Sequence, residues 1–330
     1  MIENVDLAVV LSGGGSRGAF QVGVLDALVR RGGLDVGLYA GVSTGAIQAL
    51  GAAENRIADL RAVWEGIRGD KDIYKTRFLG KIGAIAFGKD SLFDATPVRR
   101  KIRAFHDPAS LAASGKGLLI GTVSLQTGRL QIIDETMGNI AEWVIASAAV
   151  PATYQPLVDS AGGQWVDGGV RDITPLGAVI DRKPKAILVI LGQPLGAGAG
   201  DKAKSFGGIL DIALRAASIL TDEVFEGDVA QARRMNALLN ARDAQMKVLE
   251  ALPLTSEQRA AAMAPLLDMV RNFKDVPIGI IAPDASFPLP DSIDFDPAKI
   301  RAGIRHGEEV AGRQATRDML DRLKLGAGLG

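Results

Sequence analysis

The run Leu7-Ala8-Val9-Val10-Leu11 stops at Ser12-Gly13-Gly14-Gly15, and a second run, Val36 to Val42, stops at Ser43-Thr44-Gly45. A strand whose consecutive side chains are all apolar must be covered on both faces. Each run leads into a stretch with helical spacing. Residues 18–31 carry Phe20, Val24, Leu25, Leu28 and Val29 and end at Gly32-Gly33, and residues 44–53 begin a second helix. β-α-β-α within the first fifty or so residues specifies a parallel sheet with crossover helices. Glycine marks both strand-to-helix junctions. The chain has 40 glycines in 330 residues, and eleven of them fall within residues 1–51, where the usual level of about 7% gives about four.

The same pattern recurs further on. Residues 56–68 and 96–105 read as surface helices. Gly117 to Ser124 and Arg129 to Asp134 read as strands joined at Gln126-Thr127-Gly128, and residues 139–149 as a small-residue helix ended by Pro151. Ala186 to Leu191 and Val276 to Ala282 are further strand runs. The expected fold is a three-layer α/β/α arrangement around a mostly parallel sheet. Its α/β core is placed at 1–200, with a mostly helical C-terminal part, containing late strands, at 201–330. The Gly- and Ala-rich stretch Gly192 to Gly200 reads as a hinge between them. Within 206–222 the apolar face is unusually wide, which suits a helix buried on the sheet or a lid that contacts lipid. Residues 298–323 read as a final charged helical region.

Several chemistries are excluded by count. With no cysteine there is no disulfide, thiolate metal site or cysteine nucleophile. With only His106 and His306, a multi-histidine metal site is not expected. Lys+Arg and Asp+Glu are both 38, so no global field points to nucleic acid or to an anionic membrane. The N-terminus lacks a basic signal region, and no apolar stretch has the length to span a bilayer. A cytoplasmic protein without metal or cofactor is expected, with any membrane contact peripheral and transient.

Three places can carry chemistry. Gly13-Gly14-Gly15-Ser16-Arg17-Gly18 sits between strand and helix, where backbone N–H groups converge on one point. A phosphate or a transient oxyanion suits such a nest, and a plain tight turn uses the same glycines. The spacing also fits a dinucleotide fingerprint, but Asp35 precedes the second strand, at the wrong end to hold a ribose. Gly41-Val42-Ser43-Thr44-Gly45 is a G-x-S-x-G elbow between a strand and a helix, as a nucleophilic serine requires. Asp167-Gly168-Gly169 alone reads as a turn, but a serine nucleophile needs a base. The order Ser43, Asp167, His306 imitates a hydrolase triad. Only one clear strand precedes the Ser43 strand, however, and His306 lies on a polar helix where a solvated side chain is expected. His106, beside Asp107-Pro108, reads as a cap or surface residue. Asp167 is therefore the leading base, its basicity raised by burial.

These motifs resemble the patatin-like phospholipase family. Gly13 to Gly18 matches G-G-G-x-R/K-G, Gly41 to Gly45 matches G-x-S-x-G, and Asp167 to Gly169 matches D-G-A/G. Ser147-Ala148-Ala149-Val150-Pro151 looks like the family's Ser/Ala-rich segment leading to proline. The resemblance covers roughly residues 6–175. It implies hydrolysis of phospholipid, lysophospholipid or acylglycerol esters by a Ser43–Asp167 dyad without a cofactor. It also implies an oxyanion hole from the Gly13-Gly14-Gly15 amides with those near Arg17, including Gly18. Gly41, Gly45, Gly168 and Gly169 shape the elbow and base turns. A nucleotide-binding protein or an inactive scaffold using the glycine loop is the competing expectation.

Overall fold

Strand β1 (Leu7–Leu11) is buried along its whole length. Leu7, Val9 and Leu11 point into one apolar cluster and Ala8 and Val10 into another, one on each face of the sheet. The computed structural model describes residues 2–76, 91–195, 237–270 and 276–323, with residues 227, 230, 234 and 235 besides. The stretch 206–222 lies outside the described residues.

β1 pairs in parallel with β2 (Leu38–Val42) on one side. The other strands of the sheet are β3 (Gly117–Ser124), β4 (Leu130–Asp134), β5 (Leu157–Val158), β6 (Gln164–Asp167), β7 (Ala186–Ile190) and β8 (Ile278–Ile281). Their order is β8-β7-β1-β2-β3-β6-β5, with β4 on the remaining edge of β3. β8, β7, β1, β2 and β3 run parallel. β4, β5 and β6 run antiparallel to their neighbours. The result is a mixed sheet, parallel through its centre, as the apolar runs predict.

Helices α1 (Gly18–Leu25), which continues as a wider turn over Asp26–Arg31, and α2 (Thr44–Ala53) cover one face. α3 (Ile57–Glu65) and α4 (Thr96–Phe105) follow, then α5 (Ile140–Ser147). The opposite face receives α6 (Leu176–Asp181) through Leu176 and Val179. Three layers thus form around the sheet. α7 (Pro297–Ala311) lies on α1 with the two backbones almost touching. A Cβ at Gly23 would lie 2.0 Å from the Ile304 carbonyl oxygen, and one at Gly307 would lie 2.1 Å from that of Phe20. α8 (Gln314–Arg322) packs beside β8, where Gly279 accepts Met319 and Leu323. Among the described residues no helix is long and apolar enough to cross a membrane.

Two expectations for the histidines meet different outcomes. His106 caps the C-terminus of α4, and its Nδ1 lies 2.6 Å from Glu54 Oε1, within the reading of a cap. His306 is not solvated; it is 7% exposed. Its ring stacks on Phe287 at 4.1 Å with the planes 3° apart. Its polar neighbours on α7 suggest a wet face, and an aromatic from a distant loop covers it instead.

Candidate active site

Ser43 sits at the turn between β2 and α2 with φ 57° and ψ −127°. A residue with a side chain adopts this conformation at a cost of about 1–3 kcal/mol, which the surroundings must offset. The surroundings are tight. A Cβ at Gly41 would lie 2.2 Å from the Gly45 carbonyl oxygen, and one at Gly45 would lie 2.1 Å from that of Leu11. Only glycine permits the approach, so the G-x-S-x-G spacing is a packing requirement of the elbow. Ser43 is the N-cap of α2, but its side chain makes no capping bond. The Oγ is therefore not spent on capping, and it lies at the positive end of the helix.

Sheet register brings Asp167 to Ser43. β2 runs along β3 with Val42 opposite Gly121. β6 approaches from the other direction along the same edge of β3, with Asp167 opposite Thr122. The two strands end head-on at adjacent residues of β3, and their terminal side chains meet. Gly168 fits this junction because a Cβ there would lie 2.5 Å from the Gly121 carbonyl oxygen. Ser43 is 9% exposed and Asp167 5%. Burial raises the Asp167 carboxyl to about 6, while the Ser43 hydroxyl and the Gly169 N–H, 2.8 Å from Oδ1, favour its charged form. Such a group is ionised at neutral pH and still a far better base than an exposed carboxylate.

The glycine loop lies against the serine: a Cβ at Gly13 would be 3.2 Å from Ser43 Cβ. Gly14 and Gly15 have φ 156° and 58°, conformations that L side chains rarely adopt. The structure narrows the set of expected amide donors. Gly13 N–H bonds the Ile173 carbonyl, Ser16 N–H that of Ser292, and Arg17 N–H that of Gly14. Gly18 N–H closes onto the carbonyls of Gly15 and Ser16. Among the described residues only Gly14 and Gly15 N–H, within this loop, have no protein acceptor. Arg17 reaches two distant segments of the chain. Its Nε donates to the Pro290 carbonyl at 3.1 Å and its Nη1 to Gln193 Oε1 at 2.8 Å.

The segment 147–151, which the sequence marks only by its resemblance to the family, acts here through the end of α5 and the residues after it. Ser147 is fully buried, accepts the Ser43 N–H at 2.9 Å and donates to the Gly121 carbonyl at 2.6 Å. Two residues on, the Ala149 carbonyl accepts the Asp167 N–H at 3.0 Å. One short segment therefore holds the backbones of both Ser43 and Asp167. The signal was the small-residue run before Pro151, which admits close approach to the elbow. Asp35 lies far from this arrangement, with an almost fully exposed side chain near Lys116. His306 is turned toward the Asp284 N–H, at 3.1 Å from Nε2. Among the described residues no three His, Asp or Glu side chains are placed to hold a metal ion.

A serine on a strained strand-to-helix turn and a buried acid meet on a sheet covered by helices on both faces, in an α/β/α fold. The family model of patatin-like phospholipases matches residues 9–180. The chain belongs to that family, which is one of lipid hydrolases. It is similar to the uncharacterized protein YjjU of Escherichia coli (strain K12), with 28% identity over 189 residues, 57% of this chain and 52% of that protein. The chain thus spans about half the length of this curated relative. Among solved structures it is similar to VipD from Legionella pneumophila, at 15% identity and TM-score 0.46, covering 97% of this chain and 67% of that one. It is also similar to full-length ExoU in complex with SpcU, from the type III secretion system of Pseudomonas aeruginosa. There the identity is 13% and the TM-score 0.32, covering 98% of this chain and 80% of that one.

Proposed function

We propose that the chain is a serine acyl hydrolase that cleaves carboxylic ester bonds of lipids with Ser43 as nucleophile and Asp167 as base. The observation that carries this reading is the head-on end of β2 and β6, which brings a buried carboxylate to the Ser43 hydroxyl. Asp167 takes the hydroxyl proton as Oγ attacks the ester carbonyl carbon. The carbonyl π electrons move to oxygen, and the Gly14 and Gly15 N–H groups stabilise that charge. Collapse breaks the C–O bond to the alcohol, which leaves with the proton from Asp167. Water then attacks the acyl-Ser43 ester, giving one proton to Asp167. The second collapse returns the proton to Ser43 Oγ and releases the acid. The substrates are phospholipid, lysophospholipid or acylglycerol esters, met by peripheral contact with a lipid surface from the cytoplasmic side.

A fluorophosphonate probe tests the assignment directly. Stoichiometric labelling is expected at Ser43, lost in Ser43→Ala, together with hydrolysis of a short acyl ester. No labelling, alongside a nucleotide-induced rise in melting temperature, would favour the nucleotide-binding reading. Neither labelling nor hydrolysis would favour an inactive scaffold.

Ser147→Ala removes one hydrogen-bond acceptor from the Ser43 amide and one donor from the Gly121 carbonyl. A net loss of about 1–1.5 kcal/mol is expected. If it falls on the transition state, kcat drops about tenfold at nearly constant KM. Ser147→Thr, which keeps the hydroxyl, should recover part of it in the same steady-state assay.

A further inference from the structure

The glycine loop is held by a part of the chain that lies outside the family match. The Ser292 carbonyl accepts the Ser16 N–H at 2.8 Å, and the Asp291 carbonyl accepts the Ser16 hydroxyl at 2.9 Å. The Pro290 carbonyl accepts Arg17 Nε at 3.1 Å. A Cβ at Gly15 would lie 2.0 Å from the Ser292 carbonyl oxygen, so the two backbones are in direct contact. Three consecutive carbonyls therefore dock on the loop that carries the Gly14 and Gly15 amides.

This segment is anchored on both sides of the contact. On the C-terminal side, the Ile293 carbonyl accepts the Tyr74 hydroxyl at 2.9 Å, and the Phe295 N–H donates to Asp70 Oδ1 at 2.9 Å. On the N-terminal side, Asp284 is held twice. Arg313 binds its carboxylate with both terminal nitrogens at 2.7 Å, and its N–H donates to His306 Nε2 at 3.1 Å. Phe287 stacks on the same imidazole. Nε2 is thus the acceptor that His306 offers to this segment.

We propose that residues 284–295 form a strap that positions the glycine loop, and that His306 is a positioning residue for the reaction because it holds the strap. The proposal rests on the Ser43–Asp167 reading. An oxyanion donor acts only when its N–H aims at the charge that develops. Gly14 and Gly15 belong to the residue types with the greatest backbone freedom, so the loop needs an outside constraint to keep one conformation. Ser16 and Arg17, locked by three strap carbonyls, provide it. Loosening the strap should therefore weaken transition-state binding and leave ground-state binding unchanged. This differs from a triad role, in which His306 would touch Ser43, and from a silent residue, as the sequence suggests.

The test compares His306→Ala, Phe287→Ala and His306→Gln in the full chain. The Gln amide oxygen reaches the position of Nε2 and keeps an acceptor for the Asp284 N–H. For short-ester hydrolysis, His306→Ala and Phe287→Ala should each lower kcat tenfold or more with KM changed less than twofold. His306→Gln should recover to within about threefold of the parent. Amide hydrogen exchange supplies a readout independent of activity: the Ser16 amide should exchange at least tenfold faster in His306→Ala, with β1 amides unchanged. Should His306→Ala fail to fold, Phe287→Leu replaces it with the same two readouts.

Unchanged kcat and unchanged Ser16 exchange in folded His306→Ala and Phe287→Ala would overturn the strap. So would a kcat loss that His306→Gln does not recover at all. If Ser43→Ala hydrolyses the ester as fast as the parent, the Ser43–Asp167 reading fails, whatever the exchange data show.

Discussion

Asp167→Asn is expected to abolish ester turnover while making the protein more stable at neutral pH. The amide is close to isosteric, and its oxygen can still accept the Gly169 N–H, so the turn is kept. It cannot take the Ser43 proton, and the loss expected from removing the base beside a serine nucleophile is about 10⁶-fold in kcat. Stability moves the other way. The carboxyl is raised from its ordinary 3.8 to about 6 by burial. A raised acid means that the folded state binds its proton more tightly than the unfolded chain does. Its favourable contribution is thus complete below about pH 4 and is lost as pH rises through about 6. Above that, the buried charge costs on the order of 2–3 kcal/mol relative to the neutral group. Asn removes the penalty. Calorimetry at pH 7.5 should show a higher melting temperature than the parent, and the gap should close as pH falls toward 4. Activity of the parent should have the mirror profile, rising as pH passes through about 6 because only ionised Asp167 can act as base. A parent whose kcat/KM is flat from pH 4.5 to 7.5 would remove Asp167 from the reaction.

What the sequence discloses about this site depends on which contacts need a particular residue type. The elbow is legible because Gly41 and Gly45 meet backbone oxygens at distances no side chain tolerates, and that requirement is written as glycine. The central sheet is legible because strands covered on both faces have no polar positions. The meeting of Ser43 and Asp167 is not written in either motif. It follows from two strands sharing one edge of β3, a long-range register that local patterns do not encode. The strap is less legible still. Pro290, Asp291 and Ser292 act through their carbonyls, which every residue possesses. His306 misleads for a related reason. Arg301, Arg305, Glu308 and Glu309 surround it in sequence, and partners distant in the chain, Phe20 on α1 and Phe287, cover its ring. The amides of the glycine loop were expected to act as a group. Which of them are free is decided by partners such as Ile173 and Ser292, chosen by the fold.

Gly45→Ala should cost both the fold's local geometry and the activity, although it adds one methyl group. The new Cβ would lie 2.1 Å from the Leu11 carbonyl oxygen and 2.7 Å from that of Ser12. Both are main-chain atoms at the end of β1, which is locked between β2 and β7. No rotamer change relieves the clash, so α2 must move away from β1 by about 1 Å to reach ordinary contact. Moves of that size in a packed core cost about 3 kcal/mol or more, a fall of several degrees in melting temperature. Ser43 is the residue immediately before α2, so the same shift displaces Oγ from Asp167 and from the glycine loop. A misplacement of about 1 Å can cost about 100-fold in rate. Gly177→Ala provides the contrast. Gly177 lies in α6, its φ is not positive, and a methyl group there would meet nothing within 4 Å. Replacing a helical glycine in open space stabilises by about 0.5–1 kcal/mol. The pair isolates contact from glycine content. Equal melting temperatures and equal rates for the two variants would mean that β1 and α2 do not approach as described, and the packing explanation of the elbow would fall with them.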